Sequence, residues 1–279
     1  MKLRIQKISD EGSHVPFVAR IWIGLCNLRD DLLQSANIAL DTGRKIFDDS
    51  YKPVLDSLVT MRSATHTINK LFFDHCRKAE AGELVSLQHN AIEIKESIDI
   101  PLMQNLSIVI NSGARALKSM QFLLTNYGID IGFLFQKETK YQQGLCDLQV
   151  KDAVLSEYIS SVRRSWSEMF MERRNLLEHH GWCLSRINYR ISPDNIEVFE
   201  PDIDGLVVTH YTDKMSNRIN AFVEELIAYA FSKLLPASYV LTEIPDNKRY
   251  PSNPTRFEIT LAGPGKVPWV LKYDDTGFH

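Results

Sequence analysis

Three long stretches of apolar residues at helical spacing constrain the fold of this chain more than any other feature. They run from Ile100 to Tyr127, from Asp152 to about Cys183 and from Thr212 to about Leu235. In each stretch an apolar side chain recurs at every third or fourth residue, which is the period of an α-helix with one packed face. Such helices must pack together to bury these faces, so the sequence predicts a mainly α fold built on a long-helix bundle.

The rest of the chain is more mixed. We predict two further helices, from Val15 to about Ala39 and from Pro53 to about Ala81, a short helix or connection over 84–94, and a partly irregular segment over 128–150. Alternation of apolar and polar residues predicts a minor β portion. The strands expected in it are Leu3–Ile8, Ile187–Ile191, Asn195–Phe199, Leu206–Tyr211, Arg256–Leu261 and Trp269–Tyr273.

These elements divide the chain into three predicted parts. Residues 1–95 hold the N-terminal strand and helices, and residues 96–236 form a helical core with a short β insertion. Residues 237–279 form a β-rich tail, a candidate partner for the N-terminal strand. Pro236 marks the last boundary, because proline cannot continue a helix.

Charge and hydropathy narrow the setting in which the protein acts. The net charge of −3 provides no overall attraction to nucleic acid or to an acidic membrane, so contact with RNA would need a local basic patch. No apolar run of about 18 residues and no apolar signal segment near Met1 is present. We therefore expect a cytoplasmic protein without a membrane contact.

Cofactor and metal chemistry are not expected. The sequence has none of the short motifs that hold a nucleotide, a catalytic zinc ion or a serine nucleophile. The four cysteines are far apart and lack the spacing of zinc ligands or redox pairs. We predict no metal ion and no cofactor, which disfavours a metal-dependent hydrolase.

One segment, Glu172–Trp182, carries the strongest chemical signal. It groups Arg174, Asn175, His179 and His180 at the end of a long helical stretch. Arginine binds phosphate or stabilises a developing negative charge, and histidine exchanges a proton near neutral pH. Together they could cleave a phosphodiester without a metal ion.

A helical projection assigns these side chains to faces. If residues 152–183 form one regular helix, its apolar stripe continues through Arg173 and His180, which would then face the packed side. Arg174 lies at the edge of that stripe. Asn175 and His179 fall on the opposite face, one turn apart.

The same stretch is also the densest basic region of the chain. Arg163 and Arg164 precede the segment, and Arg186 follows it. With Arg173 and Arg174 they form a candidate RNA-binding surface, although interspersed glutamates dilute its charge.

The segment resembles the signature of the HEPN superfamily, helical domains found in RNA-targeting toxins and abortive-infection proteins. That signature is an arginine, a polar residue and then a histidine after a gap of four to six residues. Arg174, Asn175 and His179 match it with a gap of four, and His180 would give a gap of five. Gly181 also fits, because a glycine commonly follows the histidine.

The resemblance covers the helical stretches from about Ile100 to Leu235 and implies a function. Such domains are metal-independent endoribonucleases that dimerise, so we expect a homodimer acting on RNA, in a toxin–antitoxin or phage-defence role. An antitoxin or regulatory protein is a further candidate partner. By the resemblance, Arg174 binds the scissile phosphate, Asn175 orients it or the imidazole, and His179 or His180 transfers the proton.

Purely structural explanations remain open. Arg174 and Glu178 are spaced to pair along one helix face, and histidines in a last helical turn are favoured by the helix dipole. Arg173 and His180 could bind buried carbonyl or carboxylate groups. The alternative function is a non-catalytic HEPN-like scaffold that binds RNA, a nucleotide or a protein partner, and whether the protein is an enzyme at all stays open.

Overall fold

Helices dominate the structure, a computed structural model that describes residues 16–35, 40–88, 91–192, 195–248 and 256–274. The predicted mainly α fold with a minor β portion is confirmed. The α-helices are α1 (Pro16–Ser35), α2 (Leu40–Glu80), α3 (Asp99–Thr125), α4 (Glu138–Lys151), α5 (Ala153–Val162), α6 (Glu168–His179) and α7 (Val208–Leu234). A π-helical turn, Arg163–Ser167, joins α5 to α6, and short 3₁₀ turns occupy Gly132–Phe135 and Asp246–Lys248.

The strands form antiparallel two-stranded hairpins. Their members are β1 (Val85–Gln88) with β2 (Ala91–Ile94), β3 (Asn188–Ser192) with β4 (Asn195–Phe199), β5 (Asp202–Ile203) with β6 (Leu206–Val207), and β7 (Tyr239–Glu243) with β8 (Phe257–Leu261). The β7–β8 hairpin lies against α1. The predicted N-terminal strand, Leu3–Ile8, falls outside the described residues, and so does its predicted pairing with the tail.

The helix α2 begins well before the predicted start at Pro53. Pro53 lies inside the helix, and Phe47, Tyr51 and Val54 around it are fully buried. An internal proline costs about 3 kcal/mol, whereas burying a large apolar side chain contributes about 1.5–3 kcal/mol. Three such side chains therefore outweigh the proline, and the helix continues through it.

Regular secondary structure is present in two segments for which the sequence allowed no clear prediction. Residues 85–94, expected to be a short helix or connection, form the β1–β2 hairpin, with Val85 opposite Ile94 and Leu87 opposite Ile92. The segment 128–150, predicted to be irregular in part, contains the 3₁₀ turn Gly132–Phe135 and then α4. The hairpin was not predicted because a short apolar run has no reliable period, and α4 was not predicted because it buries only a narrow face, at Tyr141 and Leu148.

The predicted strand Leu206–Tyr211 was wrong beyond Val207. From Val208 onward the chain is already α7, and Glu200 explains the early start. Its carboxylate accepts hydrogen bonds from the backbone nitrogen and the hydroxyl of Thr209, at 2.9 and 2.7 Å. A carboxylate at this helix end satisfies a free N–H group and favours the helix dipole.

The end of the tail also departs from prediction. Trp269–Tyr273 is not a regular strand, although the backbone nitrogen of Trp269 donates to the carbonyl oxygen of Leu241 at 2.7 Å. Arg256, just before β8, binds Glu224, Glu225 and Glu243. The tail is thus joined to α7 by buried charges as well as by apolar contacts.

A close approach of helices around Gly113 organises the core. A Cβ atom at Gly113 would lie 2.7 Å from Phe170 of α6, 2.8 Å from Ile219 of α7 and 3.3 Å from Met61 of α2. Only a residue without a side chain fits where α3 meets these helices. Buried residues from all three predicted parts of the chain, such as Tyr51, Leu117 and Leu241, belong to one apolar cluster.

A line of polar contacts sets the register of α2 against α7. Arg62 donates to Asn217 at 2.9 Å, the hydroxyls of Thr65 and Ser216 lie 2.8 Å apart, and Asn69 donates to Asp213 at 2.9 Å. Directional bonds of this kind would be lost if one helix slid along the other.

None of the helices in the described ranges combines the length and apolar character needed to cross a bilayer.

The Gly113 contact yields a stability prediction. Gly113→Ala should lower the free energy of unfolding by about 1–3 kcal/mol, because the added methyl group must displace Phe170 and Ile219 in a packed core. Urea unfolding followed by circular dichroism measures the change.

Gly263→Ala is the matched control, because a Cβ there meets nothing within 4 Å. We expect a change within about 0.5 kcal/mol for this control. Equal stability of the Gly113→Ala variant and the wild type would contradict the close approach.

Candidate functional site

The second half of α6 holds the arginine and the amide of the predicted motif. Arg174 forms an ion pair with Glu178, one turn further along the helix. Its Nη1 atom also donates to the Asn175 side-chain oxygen at 3.0 Å. The Arg174 side chain is 19% exposed, whereas Asn175 is exposed. The Arg174 side chain is therefore partly exposed and has both of these partners on its own helix.

Both histidines are exposed. The side chain of His179 is 62% exposed, and its Nε2 atom lies 3.8 Å from a Glu178 carboxylate oxygen, beyond hydrogen-bonding distance. His180, predicted on the packed side, is instead exposed at the residue where α6 ends. That prediction was wrong.

The π turn explains the error. Its backbone hydrogen bond runs from Glu168 to Arg163, five residues apart, and so places one more residue in the turn than an α-helix does. All later side chains are rotated relative to a regular helix. Leu176 is consequently exposed and Leu177 half-buried. Residues 153–179 are helical, as predicted, but the π turn removes the regularity that the projection assumed.

Gly181 ends the helix. Its φ of +64° lies in the left-handed region that favours glycine. The turn brings the backbone nitrogens of His180 and Trp182 to the carbonyl oxygen of Leu176, at 3.1 and 3.2 Å. His180 is thus fixed at a defined bend.

The segment after the bend is tied to the rest of the bundle. The backbone nitrogen of Ile187 donates to Asp99 at the start of α3, at 3.0 Å. Tyr189 of β3 shares a 2.8 Å hydrogen bond with His75 of α2. Burial lowers the pKa of His75, which disfavours its protonated form. These contacts position the chain on the far side of the motif.

Arg173, predicted to contact RNA, has partners on neighbouring elements of the fold. Its guanidinium pairs with Asp204 and lies over the ring of Trp182, with 4.6 Å between the guanidinium carbon and the ring centroid. The side chain is only 16% exposed. Asp204 lies in the tight β5–β6 turn, with φ values of +53° at Asp204 and +81° at Gly205. Arg173 therefore attaches α6 to this turn.

Arg163 is likewise unavailable to RNA, contrary to the prediction. It is buried, and its guanidinium donates to the carbonyl oxygens of Leu134 and Gln136, at 2.9 and 3.1 Å. The carboxylates of Glu138 and Glu168 neutralise it, at 3.1 and 2.6 Å. All its directional contacts are made within the fold.

Arg164 and Arg186 are the fully exposed members of the predicted basic surface. Arg164 bonds to the Ser160 carbonyl oxygen at 3.3 Å. It precedes Arg174 by ten residues, about 15 Å of helix. Arg186 lies in the segment after the bend. The structure keeps both on the outside but does not place them in contact with the motif.

The binding partners of the motif side chains were harder to predict from the sequence than the motif residues themselves. Glu178 was expected only to pair with Arg174, yet the same carboxylate oxygen also lies 3.8 Å from His179. Asp204, the partner of Arg173, gave a weak signal through the Asp-Gly turn to which it belongs.

In the portion of the chain that the structure describes, no group of three or more His, Cys, Asp or Glu side chains is placed to hold a metal ion.

Comparisons of the chain with protein-family models, curated proteins and solved structures gave no match. The HEPN resemblance therefore stays a prediction, carried by Arg174, Asn175, His179 and His180.

The two adjacent arginines of the π turn provide a matched test of this geometry. Arg163→Met should lower the free energy of unfolding by about 2–4 kcal/mol, because it leaves the Leu134 and Gln136 carbonyls without their donor. Arg164→Met should change it by less than about 0.5 kcal/mol, because that side chain is exposed. Chemical unfolding measures both, and equal effects of the two substitutions would contradict the structural role of Arg163.

Proposed function

We propose that the protein is a metal-independent endoribonuclease of HEPN type that acts as a homodimer. The observation that carries the proposal is that Asn175, His179 and His180 are exposed near one helix end, close in sequence to the partly exposed Arg174. Burial of both histidines among satisfied hydrogen bonds would have favoured a purely structural role. Their exposure leaves both imidazoles free to exchange protons with a substrate.

Each residue has a role in the proposed reaction. The Arg174 guanidinium binds the non-bridging oxygens of the scissile phosphate and stabilises their developing charge. A neutral imidazole accepts the proton of the ribose 2′-hydroxyl, whose oxygen forms a bond to phosphorus. The bond from phosphorus to the 5′-oxygen breaks, and that oxygen takes a proton from the second imidazole. The products are a 2′,3′-cyclic phosphate and a 5′-hydroxyl.

Two features support a homodimer. The motif lies on an open surface, with the His179 side chain 62% exposed, so a single protomer provides one wall of a cleft. Met169 and Leu176, on the same helix, are 48% and 38% exposed although they are apolar. A second copy packed against α6 would cover these side chains and place a second motif nearby.

The alternative function is a non-catalytic module that binds RNA, a nucleotide or a protein partner such as an antitoxin. One observation favours it: Glu178 and Asn175 already satisfy the Arg174 guanidinium on one side. For either function we propose a cytoplasmic role in toxin–antitoxin control or phage defence, supported by the HEPN resemblance.

Cleavage of mixed-sequence single-stranded RNA in EDTA distinguishes the two functions. We expect the wild type to cut the RNA and to leave cyclic phosphate ends. Arg174→Ala and the double variant His179→Ala/His180→Ala should each lower the rate at least about 100-fold, the usual contribution of general acid–base or charge stabilisation.

Arg77→Ala and His66→Ala are matched controls, because both side chains are exposed on α2 and should leave cleavage unchanged. No cleavage by a folded, dimeric wild type would favour the binding module. Equal cleavage by the wild type and the motif variants would reject the motif as the active site.

A further inference from the structure

The carboxylate of Glu178 lies where a substrate phosphate would have to bind. We propose that Glu178 is a specificity-determining residue that competes with the RNA phosphate for Arg174. This inference rests on the proposed function, because it takes Arg174 to be the phosphate-binding group.

One carboxylate oxygen of Glu178 approaches both Arg174 and His179. The Oε2 atom of Glu178 pairs with Nη2 of Arg174, and the same atom lies 3.8 Å from Nε2 of His179. In the proposed reaction the arginine and the histidine must act on one phosphate group. Glu178 already pairs with Nη2 of Arg174, so a phosphate that binds this nitrogen must displace the carboxylate.

A carboxylate and a phosphate bind a guanidinium in the same way. Both present oxygen atoms that match the planar fork of N–H donors, so they exclude each other at one edge of Arg174. Asn175 holds the Nη1 atom, which leaves the Glu178 edge as the contested one.

The competitor is easily displaced. Side-chain exposure of 19% for Arg174 and 30% for Glu178 places the pair near solvent, where ion pairs are weak. Glu178 also lies in the last turn of α6, where the helix dipole disfavours a negative charge. Helix stability therefore does not require the carboxylate, and its position is explained by its contact with Arg174.

The competition between Glu178 and phosphate favours ligands that make several contacts with the protein at once. A single phosphate gains little by replacing a carboxylate that already satisfies Arg174. An RNA strand can displace it, because neighbouring phosphates bind elsewhere at the same time and supply further attraction.

Binding of a short mixed-sequence 2′-O-methyl oligoribonucleotide tests the proposal, because this probe cannot be cleaved. Fluorescence anisotropy would be measured for the full chain as wild type, Glu178→Gln, Glu172→Gln, Arg174→Ala and Arg174→Ala/Glu178→Gln. Glu172 is the matched control: it is exposed on the same helix, and removing its charge changes the net charge equally. It precedes Arg174 by two residues, which places it on the other side of the helix.

We expect Glu178→Gln to tighten binding about two- to fivefold more than Glu172→Gln does, as for loss of a partly exposed ion pair. In the Arg174→Ala background, Glu178→Gln should have no larger effect than the control substitution has in the wild type. Circular dichroism would verify that each variant is folded.

The outcomes separate the two proposals. If Arg174→Ala weakens binding but Glu178→Gln tightens it no more than Glu172→Gln, competition by Glu178 is rejected and the phosphate-binding role of Arg174 stands. If Arg174→Ala binds as tightly as the wild type, the role of Arg174 in the proposed function is rejected, and competition by Glu178 with it.

Discussion

The buried guanidinium of Arg163 is the contact on which the candidate site depends. It joins the π turn to the carbonyl groups of residues 134 and 136, and it is neutralised by Glu138 and Glu168. The π turn adds one residue to the helical path and so rotates everything from Glu168 to His179. Because of that rotation, Leu176 is exposed and His180, which a regular helix would place on the packed side, is exposed as well. The same anchor therefore serves both packing and the orientation of the motif.

Neighbouring arginines in this helix have opposite roles because of where their partners lie. Arg173 is held by Asp204 and Trp182, which belong to elements packed beside α6. Among the residues that the structure describes, the partners of Arg174 are Asn175 and Glu178 of its own helix. A partner on the same helix end can exchange for a ligand without disturbing the fold, whereas a partner on another element cannot. This difference separates a structural arginine from a functional candidate more clearly than charge or spacing does.

Helices with a broad buried face could be predicted from the sequence, because their apolar residues recur at a regular period. Features that depend on a single contact between distant residues could not. The apolar stripes located α3 and the end of α7, because a broad packed face leaves a regular pattern. The π turn left no such pattern, and the bonds of Arg163 within it reach residues 134 and 136, which are distant in sequence. The projection, which assumed a regular helix, therefore misplaced His180, and the pairing of Arg173 with Asp204 was not inferred. The motif residues themselves were identifiable because their chemistry is local.

In the proposed function, RNA contacts the protein at the exposed end of α6. The most direct test is NMR of the protein with labelled arginine guanidinium and histidine imidazole groups, during titration with the 2′-O-methyl oligoribonucleotide. We expect the signals of Arg174, His179 and His180 to shift together, while those of Arg163 and Arg173 stay in place. Shifts centred on other residues, or none at saturating oligonucleotide, would contradict the proposed function.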